Sequence, residues 1–131
     1  MLAKITIGDY MTKHVVTLSP ETEVKEAIKK MLALKITSVP VLDQNGYLVG
    51  IFSEKDCMKV VLEQAYNQGA SPKIGEYMSH HVVTVDVDSS IVDLAENFQT
   101  STLRSFPVMD GSELVGIISR ADVLKALVTI S

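Results

Sequence analysis

The stretch LVGIFSEKDCMK, residues 48–59, returns near the other end of the chain as LVGIISRADVLK, residues 114–125, with seven of twelve positions identical. Working outward, IGDYMTKHVVTL at 7–18 faces IGEYMSHHVVTV at 74–85, an offset of 67. The same offset carries Ser38-Val39-Pro40-Val41 and Asp43 onto Ser105-Phe106-Pro107-Val108 and Asp110. One residue is then lost in a turn, and the offset becomes 66 for the opening stretch. Matches held in this order mark a tandem duplication, and each copy is one supersecondary unit.

Each copy reads as strand, helix, strand, strand, helix. His14 to Leu18 is rich in β-branched residues and predicts a first strand. Ser19-Pro20 predicts a helix start, with Ser as cap and Pro at the first helical position. Val24, Ala27, Ile28, Met31 and Leu32 follow at the spacing of one apolar helix face, and Ile91, Leu94, Ala95 and Phe98 repeat it after Asp88-Ser89. Val39 to Leu42 and Tyr47 to Phe52 form a hairpin about Asn45-Gly46, and Phe106 to Ile118 form another about Asp110-Gly111. A helix opens at Ser53 and again at Ser119. One copy buries too little apolar surface to be secure alone. The expected fold class is therefore α+β: tandem β-α-β-β-α repeats packed sheet to sheet with pseudo-twofold symmetry. The expected organisation is one module over 1–131, with repeats at 5–65 and 73–128 and a turn over Tyr66 to Pro72.

The 131 residues are 47% hydrophobic and carry a formal net charge of −4. That balance argues against general nucleic-acid binding, which needs a basic face. No apolar run approaches the ~18–20 residues of a membrane span. The beginning, MLAKITIGDYM, is too short and polar for a secretory core. The single cysteine, Cys57, allows no internal disulfide and points to a reducing, cytoplasmic setting.

The repeated Ser53-x-x-Asp56 and Ser119-x-x-Asp122 have two readings. As helix caps, the serines accept first-turn N–H groups and the aspartates favour the positive helix end. As a ligand site, free N–H groups and a hydroxyl suit a phosphate, and a carboxylate one turn in can accept both hydroxyls of a vicinal diol such as ribose. From one copy alone capping is the stronger reading; duplication adds weight to the second, since two symmetry-related clefts need the same residues twice.

The YMT/YMS-x-x-VVT openings, the S-x-P-V-x-D segments and the L-V-G-I-x-S-x-x-D segments, present twice in order, resemble a CBS-domain pair, or Bateman module, from about Ile5 to Leu127. The resemblance implies sheet-to-sheet packing of the two units and adenosine-type ligands (AMP, ADP, ATP, S-adenosylmethionine and relatives) in two clefts between them. It implies that Asp56 and Asp122 hold ribose hydroxyls and that Ser53 and Ser119 contact ribose or phosphate. It implies that Thr17 and Thr84, with Val16, Leu18, Val83 and Val85, line the base pocket, with Pro40 and Pro107 near the base. Thr37 and Ser38, like Arg104 and Ser105, match phosphate-contacting positions. The copies differ where Arg104 faces Thr37 and Arg120 faces Glu54, and a guanidinium meets a phosphate with a planar fork of donors.

The remaining features read as structural. His80-His81 lacks the partners of a metal site. Cys57 lies on an apolar helix stripe with no base beside it, Tyr10-Met11 and Tyr77-Met78 read as packing, and Met31, Met58 and Met109 as core fillers. Nothing pairs a nucleophile with a base, so the chain is expected to bind rather than catalyse and to require no cofactor. Three functions follow: a sensor of adenine nucleotides acting on an unidentified protein, a ligand-free dimerisation module, or a nucleotide-processing enzyme. The helices at 57–62 and 121–128 are apolar on more than one side, which predicts a homodimer.

Overall fold

The computed structural model describes residues 5–66 and 71–130. The elements in chain order are α1 (Ile7–Tyr10), α2 (Val24–Leu34), β1 (Ser38–Leu42), β2 (Leu48–Ser53) and α3 (Glu54–Tyr66). A 3-10 turn (Ile74–Glu76) follows, then β3 (Val85–Asp86), α4 (Ile91–Thr100), β4 (Ser105–Asp110), β5 (Glu113–Ser119) and α5 (Arg120–Ile130). Of the turn expected over Tyr66 to Pro72, residues 67–70 lie outside the described residues, as do residues 1–4 of the N-terminal stretch.

The chain divides into two compact units. One is Val16–Val82; the other joins the residues before Val16 to those from Val83 onward. In the first unit, β1 and β2 form an antiparallel hairpin, flanked by Leu18 pairing with Val41 and by Ser79 pairing with Ile51. In the second, β3, β4 and β5 form a sheet in that order, and Thr12 pairs with Ile117 on the far edge. The turn glycines Gly46 and Gly111 have φ of 84° and 63°, a region that costs glycine nothing.

The core of the Val16–Val82 unit contains Val24, Ala27, Met31, Val39, Val41, Phe52, Val60, Ile74 and Met78. That of the other contains Ile7, Ile91, Leu94, Phe106, Val108, Ile118, Val123 and Ala126. The segment beginning at Ile74 thus seals the core that contains β1 and β2, and the segment beginning at Ile7 seals the core that contains β4 and β5. The backbone follows the same plan. Ile74 and Gly75 donate to the Thr22 and Pro20 carbonyls, whereas Ile7 and Gly8 donate to those of Ser89 and Val87.

The expected first strand over His14 to Leu18 is reduced to a single parallel bridge at Leu18, and its counterpart to Val85–Asp86. Proline is the reason. Leu18 N–H donates to the Pro40 carbonyl and Leu42 N–H to the Leu18 carbonyl. The next bond upstream would need an N–H from Pro40, which has none. In the other unit Pro107, one residue before Val108 in the pairing with Val85, ends β3 in the same way.

The expected helix start at Ser19-Pro20 is also displaced. Ser19 Oγ accepts from Glu21 N–H at 3.1 Å and the Ser19 carbonyl from Thr22 N–H, which makes a separate turn. Pro20, Thr22 and Val24 bond to residues 72–75, and α2 begins only at Val24. In the second copy the cap is Ser90, whose Oγ accepts from Val92 N–H, one residue beyond Ser89. Met58, expected as a core filler, is 68% exposed, and Leu32, from the expected apolar helix face, is 73% exposed, while Met31 is buried.

Candidate functional site

The hairpin register assembles one polar corner in each unit. Ser38 pairs with Ser53, and Pro40 with Ile51. Side chains alternate across a strand, so these four share one face, opposite the core residues Val39, Val41 and Phe52. Pro40 is fully buried on that face. Thr17 precedes Leu18, whose N–H reaches the Pro40 carbonyl, and Thr37 is held by Glu54 N–H donating to its carbonyl at 2.9 Å. Of the residues expected in this unit, Thr17, Ser38, Ser53 and Asp56 are half-buried and Thr37 is exposed.

The second unit repeats the plan. Ser105 pairs with Ser119, and Pro107 with Ile117. Arg120 N–H donates to the Arg104 carbonyl at 3.1 Å, and Thr84 leads into β3 beside β4. Ser105, Ser119 and Asp122 are half-buried, Pro107 is buried, and Thr84, Arg104 and Arg120 are exposed. Ile51 and Ile117 also share these faces, although the sequence reading did not mark them. The period of two in Gly-Ile-x-Ser carries the signal that would have found them.

The Ser–Asp pairs close reciprocal capping boxes with Asp in the third helical position. Ser53 donates to Asp56 Oδ2 from its N–H at 2.9 Å and from its hydroxyl at 3.0 Å, and Asp56 N–H returns to Ser53 Oγ at 3.4 Å. Ser119 N–H donates to Asp122 Oδ2 at 2.9 Å, and Asp122 N–H to Ser119 Oγ at 3.2 Å. Among the described residues, no hydrogen bond falls on Oδ1 of either aspartate. Capping and ligand binding are therefore compatible: one carboxylate oxygen holds the helix start, and the other keeps its lone pairs for a hydroxyl donor.

Burial raises the Cys57 pKa, as do the nearby Asp56 and Glu54 carboxylates, and its Sγ lies 3.9 Å from Met31 Sδ. Such a group stays a thiol and packs. Tyr77 is held above its ordinary range chiefly by a hydrogen bond to Glu63, and Lys73 by its ion pair with Glu21 at 2.8 Å. His80 and His81 are exposed, and no cluster of three or more metal-ligating side chains forms among the described residues.

Comparison with known proteins places this arrangement. A family model described as the CBS domain matches residues 7–63 and again 74–129. The solved structure of CBSX2 in complex with AMP, a CBS-pair protein of Arabidopsis thaliana, superposes with a TM-score of 0.83. It is 28% identical, with 95% of this chain and 97% of that one covered. The CBS domain-containing protein YhcV of Bacillus subtilis is 29% identical over 117 residues, 89% of this chain and 81% of that protein. The chain spans only 25–42% of the length of several other curated relatives. One is an uncharacterized protein of Methanocaldococcus jannaschii, 31% identical over 126 residues, 88% of this chain and 30% of that one.

Proposed function

The chain belongs to the CBS-domain family, and from that membership we propose that it is a regulatory module whose Ser–Asp corners bind adenosine-type nucleotides. The observation that carries this reading is the duplicated Asp56 and Asp122, each spending one carboxylate oxygen on its helix and leaving the other open. Asp56 and Asp122 accept the ribose hydroxyls, Ser53 and Ser119 stand beside them, and Thr17, Pro40, Thr84 and Pro107 flank the base. Thr37, Ser38, Arg104, Ser105 and Arg120 face the phosphate end. The AMP bound by CBSX2 supports the ligand class. The protein binds rather than reacts: the serine and aspartate of each corner are engaged with each other in capping their helix. Nucleotide occupancy changes an unidentified protein's state, which requires unequal affinity for two conformations or assemblies. Among the described residues no helix is long and apolar enough to cross a membrane, and the unpaired Cys57 fits a cytoplasmic setting.

A ligand taken up only by the folded state raises the melting temperature, by about 2.7 kcal/mol of stability at a hundredfold excess over Kd. Adenosine, AMP, ADP and ATP are each to be added to the wild-type chain and to a D56N/D122N variant. The expected result is a rise with at least one compound that the double variant loses while keeping its unliganded melting point within a few degrees. A wild-type chain unmoved by every compound would leave only a ligand-free dimerisation module.

Dimerisation has its own support. Met58, Leu62 and Tyr66 follow one another at four-residue intervals along α3, and all are more than 60% exposed. On α5, Leu124 is 62% exposed, beside an open, largely apolar groove of about 600 Å³ that Tyr10 and Ala121 also line. Apolar helix faces of this kind are covered most simply by a second copy. L62E is expected to convert a dimer to a monomer in gel filtration with light scattering; a wild-type monomer at micromolar concentration would remove this part of the reading.

A further inference from the structure

We infer that the two corners select different ligands: the corner built on Arg104, Ser119, Arg120 and Asp122 takes an adenosine phosphate, and the corner built on Thr37, Ser53, Glu54 and Asp56 takes an uncharged adenosine compound. This rests on the nucleotide reading proposed above and divides it between two sites.

The backbones of the corners agree. Glu54 N–H reaches the Thr37 carbonyl at 2.9 Å, and Arg120 N–H reaches the Arg104 carbonyl at 3.1 Å. Ser38 pairs with Ser53 as Ser105 pairs with Ser119. Both aspartates take their serine's N–H at 2.9 Å. A difference in what they bind must come from side chains.

At two equivalent places those side chains differ in charge. Arg104 stands where the first copy has Thr37, and Arg120 where it has Glu54. The backbone bond between Arg104 and Arg120 makes the two arginines neighbours. Arg120 is also positioned: its Nη2 donates to the Ser101 carbonyl at 3.1 Å, which uses one of its five N–H donors and leaves the others available. The Ser119 hydroxyl donates to no group among the described residues, whereas the Ser53 hydroxyl donates to Asp56.

Lys35 and Lys55 flank the first corner in sequence, and with Glu54 and Asp56 they bring it to formal neutrality. Arg104, Arg120 and Asp122 leave the second corner with one net positive charge. The lysines are exposed ammonium groups on flexible stems, while a guanidinium offers a planar fork matched to phosphate oxygens. Glu54 instead presents a like charge to a phosphate arriving at the place Arg120 occupies in the other copy.

Isothermal titration of the full chain with AMP and with adenosine tests the division, using wild type, R120E and E54R. Wild type is expected to bind one equivalent of AMP per chain, with any second equivalent at least about tenfold weaker, the scale of one charge-assisted hydrogen bond. R120E is expected to weaken AMP about tenfold or more and to leave adenosine within about twofold, and E54R to add a second tight equivalent of AMP. Two equivalents of AMP bound by wild type with equal affinity, or an R120E that weakens AMP and adenosine alike, would overturn the division while leaving nucleotide binding intact. A wild type that binds neither compound would instead overturn the nucleotide reading and the division with it.

Discussion

I74A is expected to destabilise the folded chain by about 2–5 kcal/mol, the cost of deleting a fully buried Ile side chain and leaving its cavity. Ile74 is wholly buried, in the core that holds Val39, Val41 and Phe52. Repeat alignment places the residue at the head of the second copy, 67 positions after Ile7. Its packing nonetheless serves β1 and β2, so the lost contacts should loosen the Val16–Val82 unit first. Hydrogen exchange under native conditions reads this directly: the amides of β2 should lose protection in I74A while those of β5 keep it. I7A should give the reverse pattern, because Ile7 lies in the core with Phe106, Val108 and Ile118. Loss of protection at β5 alone in I74A would show that the segment packs elsewhere.

G50A and G116A should each cost about 1–3 kcal/mol or more through overpacking, although alanine is the smallest addition possible. A Cβ on Gly50 would lie 2.6 Å from Met78 Sδ and 2.8 Å from the Ser79 carbonyl oxygen. On Gly116 it would lie 2.5 Å from Met11 Sδ and 2.8 Å from the Thr12 carbonyl oxygen. The methionine could swing away, but the carbonyls could not. Ser79 exchanges two backbone hydrogen bonds with Ile51 at 2.8 and 3.0 Å, and Thr12 does the same with Ile117 at 2.8 and 3.0 Å. Truncating the methionine should therefore fail to rescue the variant: G50A/M78A is expected to melt no higher than G50A. A G50A chain with wild-type stability would mean that the Ser79 edge yields freely. The repeated Met of the opening segments, with the residue after it, and the repeated Gly of LVGI are thus two sides of one contact, made once in each unit.

That contact shows how far local reading reaches. The duplication, the hairpins about Asn45-Gly46 and Asp110-Gly111, and the helices after Ser53 and Ser119 all follow from short-range pattern, and the structure contains them. So does the Ser-x-x-Asp geometry, because an N-cap and its third helical residue meet through the helix alone. The first strands failed in proportion to their dependence on a partner. His14 to Leu18 has the composition of a strand, but its ladder is decided by Pro40, more than twenty positions away. Ser19 carried a helix cap signal, yet tertiary bonds from residues 72–75 claimed the backbone between it and Val24. Met58 reads as core, and Leu32 as part of an apolar helix face, because an apolar residue reads the same whether its neighbour is its own chain or something outside it.

By itself the sequence determined that two copies of one unit exist, in which order their elements run, and which serines and aspartates stand together at the helix starts. All of these depend on neighbours a few residues apart. Only the tertiary structure decided which core each opening segment completes. IGDYM and IGEYM are so nearly alike that either would satisfy either core by pattern. Their assignment comes from long-range backbone pairing, Ser79 with Ile51 and Thr12 with Ile117, and such pairing depends on where the chain returns in space rather than on the residues beside it.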